Sequence, residues 1–345
     1  MPRLYIKEYC RALRGKTVCI VCRESILRDH FDAVIADIKF LNRQAIVTKL
    51  YHNISNRFAN RKYFRLLRRH LPETHSMRLF PGVDIYNHVL DQEERVHKLI
   101  FLERHALVDS GGRKINALTT KRLEQCLADP AQGIANINIQ SVLERIRIQI
   151  DNGSYDRVHI VPAGKKALKY ELFTIEGHGT LITNNYGESF KPVATQEDIH
   201  LINGILNIYK REGFLIPRSP AYIQAQRGNF YVTLFDDIVV GCVEKKPIDE
   251  QTVEIAALAI STRFRNQRVG VFMVQAFMQE MQRQGYNRFI SLTNNPRLEQ
   301  LYKRLGFETI VRPEYRARQL ESPGVTTYFL EIRKVSRGNQ CEAKV

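Results

Sequence analysis

Residues 253–285 read VEIAALAISTRFRNQRVGVFMVQAFMQEMQRQG. The opening run, VEIAALAI, is apolar and of strand length, whereas the apolar positions after Val271 recur at helical spacing. Gly285 suits the end of that helix, because glycine enters the left-handed conformation without steric cost. Between strand and helix lies STRFRNQRVG. A helix N-terminus leaves several backbone N–H groups unpaired and carries positive partial charge. A loop curling there makes a pyrophosphate cradle. Arg265, Gln267 and Arg268 stand in that loop and Val269 and Gly270 at its end, with Gly270 allowing close backbone approach. The backbone of Leu258, Ala259 and Ile260 offers hydrogen-bonding groups to a ligand's amide arm.

The same alternation continues on both sides. Glu197–Gly213 has helical spacing, and Asn229–Thr233 and Ile238–Val243 read as strands joined at Asp236-Asp237. Downstream, NRFISLT (287–293) is a strand, Asn295–Leu305 a helix stopped by Gly306, and Phe307–Val311 and Thr326–Ile332 two closing strands. Upstream, the polar, turn-rich segment TNNYGESFKPVATQED (183–198) separates this pattern from an earlier one of strands and helices. Two α/β or α+β domains are predicted, as 345 residues at ~150 per domain also suggest.

Composition narrows the function. With 44% hydrophobic and 26% charged residues, the chain can bury ordinary cores and does not resemble a disordered one. No apolar run of ~18 residues occurs, and the basic N-terminus lacks the apolar core of a secretory signal, so a cytoplasmic protein is expected. The formal charge of +16 raises nucleic-acid binding. The basic residues are spread, however, and the one cluster, Arg61, Lys62, Arg65, Arg68 and Arg69, falls on one helix as a solvated face or subunit contact. An anionic small molecule accounts for the field equally well, and nucleic acid is not expected. Cys19 and Cys22 form a C-x-x-C inside the strand TVCIVC, where residues three apart point to opposite faces. Buried small side chains are expected there, and no metal site.

The segment 265–270 resembles the Q/R-x-x-G-x-G/A motif of the GNAT family of N-acetyltransferases, with Arg265 in the first place, Gly270 in the last and Arg268 where the family has its middle glycine. NNPRLEQLYKRLGF (294–307) resembles that family's C-terminal motif, Asn295, Tyr302, Gly306 and Phe307 taking its places. The resemblance implies acetyl-CoA as co-substrate. It also implies attack of an amine on the thioester, with a base for the ammonium. Glu254, at the start of the cofactor strand, is the candidate base, the alternative being a surface carboxylate on an edge strand. Tyr302 is the candidate acid for the departing thiolate, the alternative being a packed aromatic. Backbone N–H groups near Leu258–Ile260 are candidate oxyanion donors, and Asn295 joins the cofactor contacts.

A wider resemblance covers nearly the whole chain. KPVATQEDIHLINGIL (191–206) and KREGFLIPRS (210–219) resemble the acetyltransferase domain of N-acetylglutamate synthases, with Arg218 in the place of the arginine that holds the substrate carboxylate. KLIFLERHALVDSGGRKINALTTKRLEQCL (98–127) and ALKYELFTIEGHGTLI (167–182) resemble amino-acid kinases. The fold implied is a shortened amino-acid kinase-like α/β/α sandwich over 1–185, an α+β GNAT fold over 191–336 and a flexible tail over 337–345. The kinase-like part departs from its family. Arg23-Glu24-Ser25 follows the first strand where K-x-G-G is usual, KLYHNISNR (49–57) replaces a glycine-rich turn, and GIANINI (133–139) lacks the family's lysine. A domain without phosphate transfer is expected. In the synthases this domain binds arginine, which makes arginine a possible effector beside Glu176, Gly177 and Gly179. A retained strand–turn signature explains those residues as well. The late L-T-T-R is also changed, to Leu292-Thr293-Asn294-Asn295, with Arg297 nearby as a substitute contact and Arg316 another. The resemblance implies an amino-acid N-acetyltransferase with glutamate as expected acceptor, at the entry to arginine biosynthesis, assembled as a homo-oligomer. Another amine or a protein lysine as acceptor, or a non-catalytic metabolite-binding regulator, are the alternatives.

Overall fold

The computed structural model describes residues 4–92, 96–129, 133–184, 189–216, 218–235, 238–264, 269–309 and 325–332. The chain divides into two compact units: unit 1 comprises 1–189 with 234–240 and 261–267, and unit 2 comprises 190–233, 241–260 and 268–345.

Unit 1 is built on a seven-stranded sheet. Its strands are β1 (Thr17–Cys22), β2 (Val47–His52), β3 (His75–Arg78), β4 (Lys98–Glu103), β5 (Ala117–Thr119), β6 (Arg157–Pro162) and β7 (Thr180–Thr183), in the order β3-β2-β1-β4-β6-β7-β5. The β6–β7 pair is antiparallel and the remaining pairs parallel. Parallel strands need crossovers and bury both faces, and β1 reads as a continuous apolar run for that reason. Val18 to Cys22 are all 0% exposed. On one face, Cys19, Val21, Leu99 and Phe101 pack with Val89 from α5 (Ile85–Gln92) and Val142 and Ile146 from α7 (Gln140–Asp151). On the other, α3 (Phe31–Arg43) packs on α8 (Ala167–Phe173). These are the layers expected of an α/β/α sandwich. Cys19 joins the first cluster and Cys22 does not, as strand alternation requires. The basic cluster lies on α4 (Arg61–His70).

Unit 2 carries the second sheet. Its strands are β8 (Ser189–Pro192), β9 (Phe230–Phe235), β10 (Ile238–Pro247), β11 (Thr252–Ile260), β12 (Arg288–Thr293), β13 (Glu308–Thr309) and β14 (Thr326–Glu331), in the order β13-β14-β12-β11-β10-β9-β8. The helices α9 (Gln196–Arg211), α10 (Pro220–Ala225), α11 (Val269–Arg283) and α12 (Pro296–Arg304) connect them. Local chemistry sets their ends. Thr195 and Asp198 form a reciprocal capping box at the start of α9, bonding each other's backbone N–H at 3.0 and 3.1 Å. Asn295 caps α12, and Gly285 and Gly306 adopt positive φ just beyond α11 and α12. Two elements were not anticipated. β8 falls inside the turn-rich 183–198 segment, and α10 follows Ser219, whose hydroxyl caps it. Both are too short for periodicity to show. The Asp236-Asp237 turn and the 337–345 tail lie outside the described residues.

Candidate active site

The site arises where β11 and β12 part. Their parallel pairing runs from Thr252↔Arg288 to Glu254↔Ile290 and no further, although both strands continue. The cause lies on the opposite edge of β11. Between Cys242↔Ala259 and Glu244↔Ala256 the register shifts, so that Ala257 and Leu258 oppose Val243 alone. Ala257 takes φ +47, the left-handed region that an L side chain rarely adopts. Such a bulge bends its strand and increases the local twist. It carries Ile255–Ile260 away from β12.

A cavity of about 450 Å³ opens in the gap, lined by Glu254, Ala257, Leu258, Ser291, Thr293 and Tyr302 among others. Three of these polar groups come from different elements. Glu254 is 3% exposed on β11, Ser291 2% on β12 and Tyr302 0% on α12. The sequence left open a surface position for Glu254, and the structure excludes it. Tyr302 is both a packed aromatic and a cavity wall: its ring lies 5.0 Å from Phe307 and 5.7 Å from Tyr328. Burial raises its phenol well above the ordinary range. A hydrogen bond with Ser291 works against that rise and the nearby Glu254 charge adds to it. Ser291 was not singled out in the sequence, because a lone serine in a strand has no spacing signal. Its Oγ lies 3.1 Å from the Ile255 carbonyl and 2.9 Å from Tyr302 Oη.

The other candidates fall into three groups. Leu258 lines the cavity, and Gly270 sits in the first turn of α11, where an added Cβ would lie 3.1 Å from Ile260 Cδ1 and 3.4 Å from Leu301 Cδ2. An alanine there would be tight against both side chains, each of which would have to give by a few tenths of an ångström. Val269, buried, opens the helix, two residues earlier than its apolar spacing suggested. Ala259 is buried, and the Ile260 carbonyl accepts from Tyr209 Oη at 2.8 Å. Arg265, Gln267 and Arg268 lie outside the described residues, as does Arg316.

Arg218 and Arg297 have different settings. Arg218 lines the cavity, but its Nε and Nη2 both donate to Glu244 Oε2 at 3.0 Å and Nη1 to the Ile216 carbonyl at 3.1 Å. Tyr222 donates to the other oxygen of Glu244, which is 3% exposed. A buried carboxylate needs such a partner, and Glu244 thereby fixes the guanidinium at the cavity wall. Arg297 is exposed near the start of α12 and is not among the cavity's lining. Asn295 likewise stands outside it. It is 4% exposed, and its Oδ1 accepts the Arg297 N–H at 3.0 Å as a helix cap.

In unit 1 the loops that would handle phosphate are filled by the chain itself. The Glu24 carboxylate accepts from Ser55 N at 2.8 Å, Ser55 Oγ at 3.2 Å and Asn60 Nδ2 at 2.8 Å. Burial acts to raise Glu24, but these bonds outweigh it and hold the carboxyl below its usual range. Arg23 pairs with Glu103 at 3.3 Å and stacks on Tyr86. Near the end of the sheet, Glu171 takes the guanidinium of Arg263, the ring of His159 and the N–H groups of His178 and Gly179. Burial disfavours that charge, yet Arg263 and His159 hold Glu171 well below the ordinary carboxylate range. A Cβ on Gly177 would overlap Arg263, and one on Gly179 the Ile160 carbonyl. Both glycines are thus required by packing.

Comparison with known proteins places these features. Residues 199–307 match the acetyltransferase (GNAT) family. The amino-acid acetyltransferase of Aeromonas salmonicida is 27% identical over 202 residues, covering 58% of this chain and 46% of that protein. That of Shewanella oneidensis is 27% identical over 199 residues, covering 56% and 44%. The chain therefore spans about half the length of the curated relatives it matches. The N-acetylglutamate synthase of Neisseria gonorrhoeae, solved with coenzyme A and L-arginine, superposes with a TM-score of 0.54 at 16% identity, covering 96% of this chain and 98% of that one. The cleft with Glu254 and Tyr302 thus lies in the stretch that matches the GNAT family, and the fold of the chain resembles that of the gonococcal N-acetylglutamate synthase.

Proposed function

We propose that the protein is an amino-acid N-acetyltransferase, taking acetyl from acetyl-CoA and giving it to the α-amino group of glutamate. One observation carries this reading. A buried carboxylate, a buried phenol and an unpaired strand edge converge on one cavity inside the GNAT-matched stretch.

The acceptor enters as an ammonium and must first lose a proton, which Glu254 takes directly or through water. The amine then attacks the thioester carbonyl. Backbone N–H groups near Leu258–Ile260 are the proposed donors to the oxyanion. As the C–S bond breaks, the sulfur leaves with the electron pair, and Tyr302 hydrogen-bonds it. The first turn of α11 and the residues 265–268 before it are the proposed seat of the pyrophosphate. Arg218, anchored by Glu244, is the proposed wall facing the substrate carboxylate, through the N–H groups that its two partners leave.

A second reading is an amine without an α-carboxylate, and the Arg218–Glu244 pair favours it. Release of CoA with a panel of amino acids and simple amines separates the two. Turnover of glutamate alone supports the first, and turnover of simple amines without glutamate overturns it.

Unit 1 is proposed to transfer no phosphate, since Glu24 occupies the loop donors that a phosphate would need. The resemblance implies arginine as effector. Glu171, however, already holds the guanidinium of Arg263, so the proposed response to free arginine is weak, and activity measured with and without it decides. A cytoplasmic homo-oligomer completes this reading, and sedimentation tests the assembly. Among the described residues no helix is long and apolar enough to cross a membrane.

A further inference from the structure

Ser291 bridges the point where the sheet opens. The Ile255 carbonyl is the first on β11 beyond the last pair with β12, and Ser291 Oγ reaches it at 3.1 Å. The same oxygen is 2.9 Å from Tyr302 Oη. A carbonyl accepts and never donates, and a serine hydroxyl has one proton. When that proton lies on the Ile255 carbonyl, the Tyr302 proton must point to Ser291 Oγ. The phenol then presents only lone pairs elsewhere, and its ring is fixed between Phe307 and Tyr328.

This arrangement has a consequence for a departing thiolate. Tyr302 reaches the sulfur by rotating its O–H away from Ser291, with no movement of the ring. The Ser291 proton is then free to turn from the Ile255 carbonyl to the phenol oxygen, where charge grows as the proton moves toward sulfur. A second hydroxyl poised in this way replaces water in a site that holds the phenol fully buried.

We propose that Ser291 is a positioning residue for acyl transfer, storing the Tyr302 proton in the resting site and stabilising the phenol oxygen while that proton is given to sulfur. The proposal rests on the acetyltransferase reading above. The atoms balance as follows. The N–C bond forms, the C–S bond breaks, sulfur takes the electron pair and the Tyr302 proton, and the phenol recovers a proton from the one that nitrogen releases.

The test is steady-state kinetics of Ser291→Ala, Ser291→Thr, Tyr302→Phe and the Ser291→Ala/Tyr302→Phe double variant. The expected result is a roughly tenfold fall in kcat for Ser291→Ala, less than the roughly hundredfold or more of a group that itself transfers the proton. The KM for acetyl-CoA stays within about twofold. Ser291→Thr, which keeps a hydroxyl, recovers most of kcat. The double variant is no slower than Tyr302→Phe, because the two act as one unit. A wild-type kcat in Ser291→Ala, or losses that multiply in the double variant, overturns the proposal while leaving the acetyltransferase reading intact. A wild-type chain that releases no CoA with any amine sinks that reading instead. Binding of CoA from pH 7 to 9 then decides for Ser291. Binding that tightens as the thiol ionises, and loses this dependence in Ser291→Ala, supports the role, and an unchanged dependence overturns it.

Discussion

Unit 1 locks its carboxylates Glu24 and Glu171 into its own fold, whereas unit 2 locks Glu244 to Arg218 and sets Glu254 on the wall of a cavity. In unit 1, Glu24 is bonded to Ser55 and Asn60, and Glu171 to Arg263 and His159. Each carboxylate meets partners from its own unit. In unit 2, Glu254 and Tyr302 line a cavity of about 450 Å³ between strands that no longer pair. Both sheets have seven strands, so strand number is not the difference. The bulge at Ala257 is. It keeps β12 from closing over its neighbour, and Glu254, Ser291 and Tyr302 line the cavity that results. A buried polar cluster becomes a candidate site where it lines a cavity large enough for a ligand.

The largest test of this contrast is Glu171→Ala. It leaves the Arg263 guanidinium buried without its carboxylate, and breaking such a pair costs about 3–5 kcal/mol. Denaturant unfolding of the variant should show that loss. An unchanged midpoint breaks the claim that the pair is a lock. Glu254→Gln should do the reverse. It should cost about a hundredfold or more in kcat, or roughly 3 kcal/mol in barrier, with little change in unfolding midpoint. A variant that unfolds early but turns over normally when folded would put Glu254 among the structural charges.

Acid sharpens the contrast in unit 1. Burial, with Arg78 adding to it, pulls His52 down to about 4. A group with a lowered folded pKa stabilises the fold above its unfolded value, near 6.5, and that stability is lost as pH falls from there toward 4. The expected loss is about 3 kcal/mol, and His52→Gln should remove much of the slope. Two smaller effects concern α12. Asn295→Ala should cost about 1 kcal/mol as a lost cap while leaving the KM for acetyl-CoA near its original value. A large rise in KM would instead make Asn295 a ligand contact. Arg297→Ala, at an exposed position, should change stability by less than about 0.5 kcal/mol and glutamate KM by less than twofold.

Much of this was legible in the sequence, and for a common reason. The run TVCIVC had to be an interior strand, since apolar residues at every position suit a strand covered on both faces. VEIAALAI followed by helical spacing had to be a strand leading to a helix, and Gly285 and Gly306 had to mark helix ends. Such signals are local, arising from side-chain period and backbone freedom, and they carry the layers of both units. The short β8 and α10 escaped because a few residues show no period.

What only the tertiary structure decided concerns partners far apart in the chain. Arg218 reads as a carboxylate clamp in the sequence, and only the fold sets Glu244, 26 residues on, beside it. Gly177 looked like the border of a ligand site until Arg263 filled the space beside it. Ser291 had no signal until the bulge on β11 set Ile255 on one side of it and Tyr302 on the other. The sequence by itself determined which elements form and that a strand, a loop and a helix meet at a ligand-binding turn, because period, caps and glycine conformations are written in neighbouring residues. It did not determine which charges pair away from a cavity and which line one, because that depends on distances that exist only after the sheets have folded.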